Sequence, residues 1–289
     1  MSDATTILGA TSPTIGVFDS GFGGLTVLRA LIARMPYARF AFIGDTARLP
    51  HGSKSRRTIA RYAAQSAQFL VSQQGAEFLV IACNTASALA LDAIEEAVPV
   101  PVLGVIEPGA EAARQASRSG DVLVIATEAT VQSHAYAAAC RARGLRALEK
   151  ACPLLVPLVE ENWTDHPVTA EVIRIYLDEL NAEAAALGMN PDTLVLGCTH
   201  YPLLRPLIER AVPAGVRVID SAEAAAEAAV RLFNGRATRL SGEQESEEGS
   251  PTAQVLCCFA TDSVEKFERL GSRFLDRPTG KVELVDLGG

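Results

Sequence analysis

Short, wholly apolar segments alternate along the chain with longer segments in which apolar residues recur at helical spacing. Four or five consecutive apolar residues are typical of strands in a parallel sheet that helices cover on both faces. The alternation therefore predicts an α/β fold whose parallel strands are joined by crossover helices. The predicted strands are residues 14–18, 39–43, 78–81, 102–105, 122–125, 194–196, 216–219, 255–259 and 282–285. The predicted helices are residues 24–34, 56–74, 87–97, 108–117, 130–143, 168–187, 202–211, 222–234 and 263–274.

Two of these strands end in nearly the same sequence. FLVIACNT, around Cys83, and TLVLGCTH, around Cys198, each consist of an apolar strand followed by a small residue, a cysteine and two polar residues. A weaker pair of strands ends at Asp19 and Thr127, with a similar separation along the chain. These matched strand ends favour two α/β domains of the same architecture.

The two matched cysteines suggest a specific chemistry. Ligands of open α/β sheets bind beyond the carboxyl ends of the strands, so two facing domains would each present one thiol to a shared cleft. Such a pair suits racemisation, because one group removes an α-proton and the other returns a proton to the opposite face. Pyridoxal phosphate, the usual electron sink, is bound through a lysine. The sequence has only four lysines, none of which is predicted at the end of a strand: Lys54, Lys150, Lys266 and Lys281. A cofactor-independent reaction is therefore favoured.

The local context also separates the six cysteines. A thiol just before a helix N-terminus is favoured as the thiolate, and both Cys83 and Cys198 are predicted in that position. The other cysteines lack the pattern and are predicted to be structural; they are Cys140, Cys152, Cys257 and Cys258.

Polar residues near the two thiols are candidates for assisting them. Asp19 would accept a proton or orient a substrate ammonium, although an aspartate after a strand often only caps a turn. His200 would partner Cys198 or a substrate carboxylate. The sequence around Glu160, taken by itself, does not distinguish it from a solvated acid at the start of a helix. Glycines that permit close approach of the backbone to an anion are Gly21, Gly23 and Gly24. Short donors suited to carboxylate oxygens are Asn84, Thr85 and Thr199.

Two other site types compete with a racemase. Cys83, Cys198 and His200 would supply three zinc ligands, but the sequence has no CxxC or HExxH motif and no regularly spaced histidine pair. A cysteine hydrolase would pair one cysteine with one histidine, and would leave the second matched cysteine unexplained. Neither alternative accounts for the repeated strand end.

Composition and charge limit the remaining classes. At roughly 150 residues per domain, 289 residues predict about two domains. A net charge of −8 argues against a general nucleic-acid or anionic-membrane surface. The acidic segment 241–252 is predicted to be a solvated loop. The sequence shows no secretory signal, no apolar run long enough to span a membrane and no disulfide framework, so we expect a cytoplasmic protein.

Longer motifs extend these observations over residues 14–285. They are IGVFDSGFGGLTV (15–27), GDTARLP with GSKS (44–55), ACNTAS (82–87), PLVEE (157–161) and LGCTHYPLL (196–204). In this order they resemble the glutamate racemases, which belong to the cofactor-independent aspartate/glutamate racemase superfamily. Members interconvert L- and D-glutamate by a two-base mechanism and supply D-glutamate for bacterial peptidoglycan.

The resemblance implies a fold and an assembly. It implies two flavodoxin-like, doubly wound α/β domains related by pseudo-symmetry, with the active site in the cleft between them. The second domain is inserted into the first, so that residues 1–106 and 217–289 form the first domain and residues 107–216 the second. A homodimer is expected, with no metal, no cofactor and neither membrane nor nucleic acid as a partner.

The resemblance also assigns roles to residues of this sequence. Cys83 and Cys198 match the two catalytic thiols, Asp19 matches the acid that assists the first, and Glu160 with His200 match the pair that assists the second. The implied substrate contacts are Asp19, Ser20, His51, Gly52, Asn84, Thr85, Thr127, Thr130, Thr199 and His200.

Two positions depart from the family pattern. His51 stands where the family usually has tyrosine, so functions of that phenol, such as gating of the cleft, do not carry over. Ala126 stands where glycine is common, a small change that we expect binding to tolerate. An aspartate racemase and a non-catalytic amino-acid-binding protein of the same fold remain as alternatives, because sequence does not show pocket depth or turnover.

Overall fold

The structure, a computed structural model, describes residues 13–49, 51, 54–240 and 255–288. It contains two wholly parallel β-sheets with helices packed on their faces, as the apolar strand pattern predicts. Both sheets are buried: β-strand residues such as Val17, Val80, Val124 and Val195 are fully inaccessible to solvent.

The first sheet has six strands in the order β10-β9-β2-β1-β3-β4. The helices that accompany it are α1, α2, α3, α4 and α12, together with a short 3₁₀ helix at Thr46–Arg48. The strands are β1 (Thr14–Asp19), β2 (Arg39–Gly44), β3 (Phe78–Ile81), β4 (Val102–Gly104), β9 (Leu256–Ala260) and β10 (Val282–Leu284). The helices are α1 (Leu25–Arg34), α2 (Arg56–Ser72), α3 (Asn84–Leu89), α4 (Leu91–Ala97) and α12 (Val264–Leu275).

The second sheet has four strands in the order β6-β5-β7-β8. Its strands are β5 (Asp121–Ala126), β6 (Arg146–Ala151), β7 (Thr193–Gly197) and β8 (Arg217–Asp220). The helices that follow β4 are α5 (Ile106–Ala116), α6 (Glu128–Ser133), α7 (Ala135–Arg141), α8 (Leu155–Glu160), α9 (Pro167–Ala186), α10 (Arg205–Ala211) and α11 (Ser221–Leu240), with a 3₁₀ helix at Tyr201–Leu204.

The two sheets share one connectivity. The order β6-β5-β7-β8 repeats the order β2-β1-β3-β4, so β1 corresponds to β5 and β3 corresponds to β7. Asp19 is the last residue of β1, and Thr127 directly follows the equivalent strand β5. Cys83 follows β3, and Cys198 follows the equivalent strand β7. This agrees with two domains of the same architecture.

Several local predictions were wrong. Strand β6 was not predicted, because its sequence RALEKA alternates polar and apolar residues on a half-buried edge strand. Helix α8, which carries Glu160, was also missed. The predicted helix over residues 130–143 is broken at His134, whose φ of 54° is left-handed and interrupts the helical hydrogen-bonding pattern. The predicted helix over residues 87–97 is also divided, at Ala90, whose φ of −137° lies outside the helical range.

Two further corrections concern the domain boundary and a lysine. The resemblance implies a return to the first domain at residue 217, but β8 hydrogen-bonds to β7 in the second sheet, so the return comes later, through α11. The apolar sequence of a strand does not show which of the two sheets the strand joins. Lys150 was not expected near the end of a strand, yet it is the penultimate residue of β6, where it pairs with Glu179 at 2.7 Å.

Within the residues described, no helix is long and apolar enough to cross a membrane. All six cysteines lie in described positions and none forms a disulfide. Only Cys257 is exposed.

Candidate active site

A cavity of about 330 Å³ lies at the carboxyl ends of the central strands of both sheets. Its walls come from the segments after β1 and β3 of the first sheet and after β5 and β7 of the second. The lining residues are Ser20, Leu49, His51, Cys83, Asn84, Thr85, Thr127, Glu128, Pro153, Val156, Pro157, Glu160, Cys198, Thr199 and His200. The two matched thiols therefore face one cavity, as the repeated strand end predicts.

Cys83 is the N-cap residue of α3 and is 6% exposed. Its sulfur accepts a hydrogen bond from the Ala86 backbone N–H (3.4 Å), and its thiol donates to Ser20 Oγ (3.5 Å). Burial, assisted by the charge of Asp19, raises the pKa of the Cys83 thiol to about 11, although hydrogen bonds with Ser20 and with the Ala86 N–H lower it. The thiolate expected from the sequence is therefore not the favoured form, because desolvation outweighs the helix terminus.

Cys198 follows β7 directly and is 5% exposed. Its sulfur lies 4.0 Å from Nδ1 of His200. Burial raises the pKa of this thiol, and the charges of Cys83 and Asp19 raise it further. With its pKa raised in this way, the Cys198 thiol keeps its proton at neutral pH, and it lines the same cavity as Cys83.

Asp19 ends β1 beneath the cavity and is 1% exposed. Its Oδ2 accepts a hydrogen bond from the Gly21 N–H at 2.9 Å, whereas Oδ1 has no partner among the described residues. Burial raises the pKa of this carboxyl group, against the lowering effects of His200 and of the backbone N–H groups. Asp19 is therefore suited to hold a proton near Cys83.

Glu160 and His200 form a contact pair beside Cys198. Oε1 of Glu160 lies 3.4 Å from Nε2 of His200, and its Oε2 lies 3.4 Å from Nζ of Lys266. Burial alone would raise the pKa of Glu160, but His200 and Lys266 together hold it below its ordinary value. The carboxylate is thus ionised, with the imidazole between it and the thiol.

Three threonines meet across the boundary between the sheets. Thr85 Oγ1 of α3 lies 3.0 Å from Thr127 Oγ1 and 3.3 Å from Thr130 Oγ1, and the latter two are 2.9 Å apart. Thr85 and Thr130 are buried, and Thr85 and Thr127 line the cavity. The cluster offers hydroxyl donors from both domains at one side of the cavity.

The glycine-rich turn after β1 packs against the second domain. A Cβ on Gly23 would lie 2.4 Å from Thr199 Oγ1 and 2.6 Å from the His200 ring, so only glycine fits there. The Thr26 hydroxyl donates to the Thr199 carbonyl at 3.1 Å. Close approach of the backbone was expected for an anion, but at Gly23 it serves the contact between domains.

His51 lines the cavity and is 1% exposed. Its Nε2 lies 3.6 Å from Oδ2 of Asp45, which is also buried. Asp45 in turn accepts a hydrogen bond from the Thr261 hydroxyl at 3.0 Å. Gly52 and the acidic segment 241–252 lie outside the described residues.

The zinc alternative lacks a set of ligands. In the part of the chain that the structure describes, no group of three or more His, Cys, Asp or Glu side chains is arranged to hold a metal ion. His200 is directed to Glu160 by the 3.4 Å contact of its Nε2.

Comparisons with known proteins identify the family. A family sequence profile described as Asp/Glu/Hydantoin racemase matches residues 26–229. The chain belongs to the Asp/Glu/hydantoin racemase family. A glutamate racemase from Koribacter versatilis (strain Ellin345) is 52% identical over 96% of this chain and 98% of its own length. The resemblance read from the sequence motifs is confirmed, and the chain is related to amino-acid racemases.

Solved structures of relatives have the same two-domain fold. A glutamate racemase isoform from Bacillus anthracis superposes with a TM-score of 0.84 at 34% identity, covering 96% of this chain and 99% of that one. A glutamate racemase from Francisella tularensis subsp. tularensis SCHU S4, in complex with D-glutamate, gives 0.82 at 34% identity, covering 96% and 98%. The predicted fold class, two α/β domains with parallel sheets, is confirmed.

Two residues at the site escaped the sequence analysis. Lys266, on α12, reaches Glu160 from the first domain, and Tyr136, on α7, donates a hydrogen bond to Asn84. From the sequence alone, Lys266 is indistinguishable from an ordinary surface charge of an amphipathic helix, and Tyr136 is indistinguishable from a core aromatic residue. No spacing signal marks either, because each partner lies far away in sequence.

Proposed function

We propose that this protein interconverts L- and D-glutamate by proton transfer between Cys83 and Cys198, without a cofactor. The observation that carries the proposal is that two thiols, each following an equivalent strand of a different sheet, line one cavity. Support also comes from relatives named glutamate racemase, one of them solved in complex with D-glutamate.

The chemistry balances with the groups at hand. The thiolate of one cysteine takes the α-proton and becomes a thiol, and the carbanion takes a proton from the other thiol, which becomes a thiolate. The reverse direction exchanges the two roles. A thiol whose pKa is raised is also the stronger base once deprotonated, which suits a weak carbon acid.

Each thiol has its own group to exchange protons with. Asp19 accepts a proton from Cys83, since its raised pKa keeps it able to hold one. His200, held by ionised Glu160, takes this role for Cys198. Substrate oxygens and the ammonium group are held by Ser20, Asn84, Thr85, Thr127, Thr130 and Thr199, with His51 at the wall.

Exchange with solvent deuterium tests the proposal. The purified protein, without added cofactor, is incubated with L- or D-glutamate in D₂O, and deuterium at the α-carbon is measured together with the ratio of enantiomers. We expect exchange and racemisation of both. No exchange with either enantiomer refutes the proposed activity, and exchange without inversion refutes the two-base mechanism.

Replacement of each thiol tests its role. Cys83→Ala and Cys198→Ala are each expected to lower the racemisation rate by at least about 10²–10⁴-fold, the usual effect of losing a general acid or base. Cys140→Ala is a matched control, because Cys140 is also buried but does not line the cavity. Full turnover in either site variant contradicts the assignment.

The substrate and the cellular role belong to the same proposal. Side-by-side rates on glutamate and aspartate distinguish the two racemases, since one methylene is worth about 1–3 kcal/mol in a pocket. We place the protein in the cytoplasm, where reduced thiols persist, and expect a homodimer that supplies D-glutamate to peptidoglycan. Growth of a D-glutamate auxotroph carrying the gene tests the supply, and sedimentation equilibrium tests the dimer.

A further inference from the structure

The Asn84 carboxamide has one half without a protein partner. Asn84 is 3% exposed and lines the cavity. Its Oδ1 accepts a hydrogen bond from the Tyr136 hydroxyl at 2.7 Å, while no described residue pairs with its Nδ2. A buried donor without an acceptor is costly, so the N–H groups beside the cavity indicate a position for a ligand acceptor.

The Tyr136 ring is held rigidly. It is fully buried, and it packs against two glycine backbones of the second domain. A Cβ on Gly197 would lie 3.0 Å from ring Cε2, and one on Gly109 would lie 3.1 Å from Cε1. Burial raises the pKa of Tyr136 well above its ordinary range, although a hydrogen bond with Ser221 lowers it, so the hydroxyl keeps its proton and donates a hydrogen bond to Asn84. The ring therefore delivers one donor to one place.

We propose that Tyr136 is a positioning residue that fixes the orientation of the Asn84 carboxamide. The Tyr136 hydroxyl donates a hydrogen bond to Asn84 Oδ1 and thereby holds that oxygen away from the substrate. The amide N–H groups then point into the cavity, where they donate to a carboxylate of the substrate. The contact also joins the domains, because Tyr136 lies on α7 and Asn84 on α3. This inference rests on the proposed function, since it assumes an amino-acid carboxylate as the ligand.

Removal of the single hydroxyl tests this role. Tyr136→Phe keeps the ring packing but frees the carboxamide to rotate. We expect KM for glutamate to rise about tenfold with little change in kcat, because a contact made equally in ground and transition states acts on KM. An unchanged KM overturns the proposal.

The chain offers a matched control. Tyr201 is also fully buried, and its hydroxyl donates to the backbone carbonyls of Ala126 and Cys152 at 3.1 and 3.0 Å. Tyr201→Phe is expected to lower Tm as Tyr136→Phe does, with KM unchanged. If both variants raise KM alike, the effect comes from loss of a buried hydroxyl in general, and the positioning role is refuted.

Variants of Asn84 test whether Tyr136 acts through it. Calorimetry with DL-glutamate gives dissociation constants for the wild type, Asn84→Ala, Tyr136→Phe and the double variant. We expect Tyr136→Phe to add nothing in the Asn84→Ala background. An equal effect in both backgrounds overturns the proposal while leaving racemase activity intact.

Asn84→Asp tests which half of the amide faces the ligand. An aspartate oxygen would replace the N–H groups beside the cavity and repel a carboxylate, so binding is expected to weaken at least as much as in Asn84→Ala. Binding equal to that of the wild type would show that an oxygen faces the ligand, which is the opposite orientation. Failure of the wild type to racemise glutamate would instead refute the proposed function itself.

Discussion

The ion pair between Lys266 and Glu160 favours the ionised form of Glu160, which we propose acts with His200 on Cys198. Nζ and Oε2 are 3.4 Å apart, and the lysine side chain is 45% exposed. At this separation two unit charges attract by about 1.2 kcal/mol even at the dielectric constant of water. Because this attraction favours the ionised carboxylate, removing the lysine charge is expected to raise the pKa of Glu160.

Lys266→Met is the suitable change, because methionine keeps an aliphatic chain beside Phe22, over whose ring the ammonium lies at 5.4 Å. Glu160 has to be ionised to hold His200, and its pKa is lowered in the wild type. Its ionised form is therefore lost at a higher pH in the variant. We expect the acid limb of kcat/KM to move to higher pH, with rates near pH 8 little changed.

The assay is the pH dependence of kcat/KM from circular dichroism of glutamate, measured at low and high salt. Lys281→Met is the matched control, since Lys281 is exposed and does not line the cavity. We expect salt to move the wild-type limb in the direction of the Lys266 variant, because screening weakens a half-exposed pair. An acid limb that stays in place in Lys266→Met refutes the reasoning.

Two further predictions concern a domain contact and a loop. Gly23→Ala puts a Cβ 2.4 Å from Thr199 Oγ1. We expect it to lower kcat/KM by about 10²-fold, because Thr199 and His200 have to move away from the cavity. Gly120→Ala is the control: the residue has a φ of +80° and open space around it, so only Tm should fall. Asp192→Ala removes an acceptor of three hydrogen bonds from residues 117–119 and should cost about 1–3 kcal/mol in urea unfolding at pH 7. Burial raises the pKa of Asp192 less than these bonds lower it, so the stability they confer is present above about pH 4 and declines as the pH falls further; a pH-independent difference would contradict this.

The sequence was most informative where a single physical rule determines the outcome. Wholly apolar runs such as those of β1, β3, β5 and β7 lie in sheets covered on both faces, and all four were located to within a residue or two. The matched cysteines could be paired because equivalent strands end at the same edge of equivalent sheets. Edge strand β6 was missed because a half-buried strand need not be apolar throughout.

The electrostatics of the site could not be predicted from spacing. The helix N-terminus at Cys83 is real, but the balance between its N–H groups and desolvation depends on how deeply the sulfur is buried. The contacts of Lys266 with Glu160 and of Tyr136 with Asn84 depend on how the two domains meet. Contacts of this kind arise from tertiary packing, so no periodic pattern in the sequence indicates them.

The solvent exposure of Cys257 has a practical consequence. This thiol lies on β9 at the surface, whereas the other five are buried. A maleimide dye should therefore attach to Cys257 first under native conditions, leaving both cavity sulfurs unmodified.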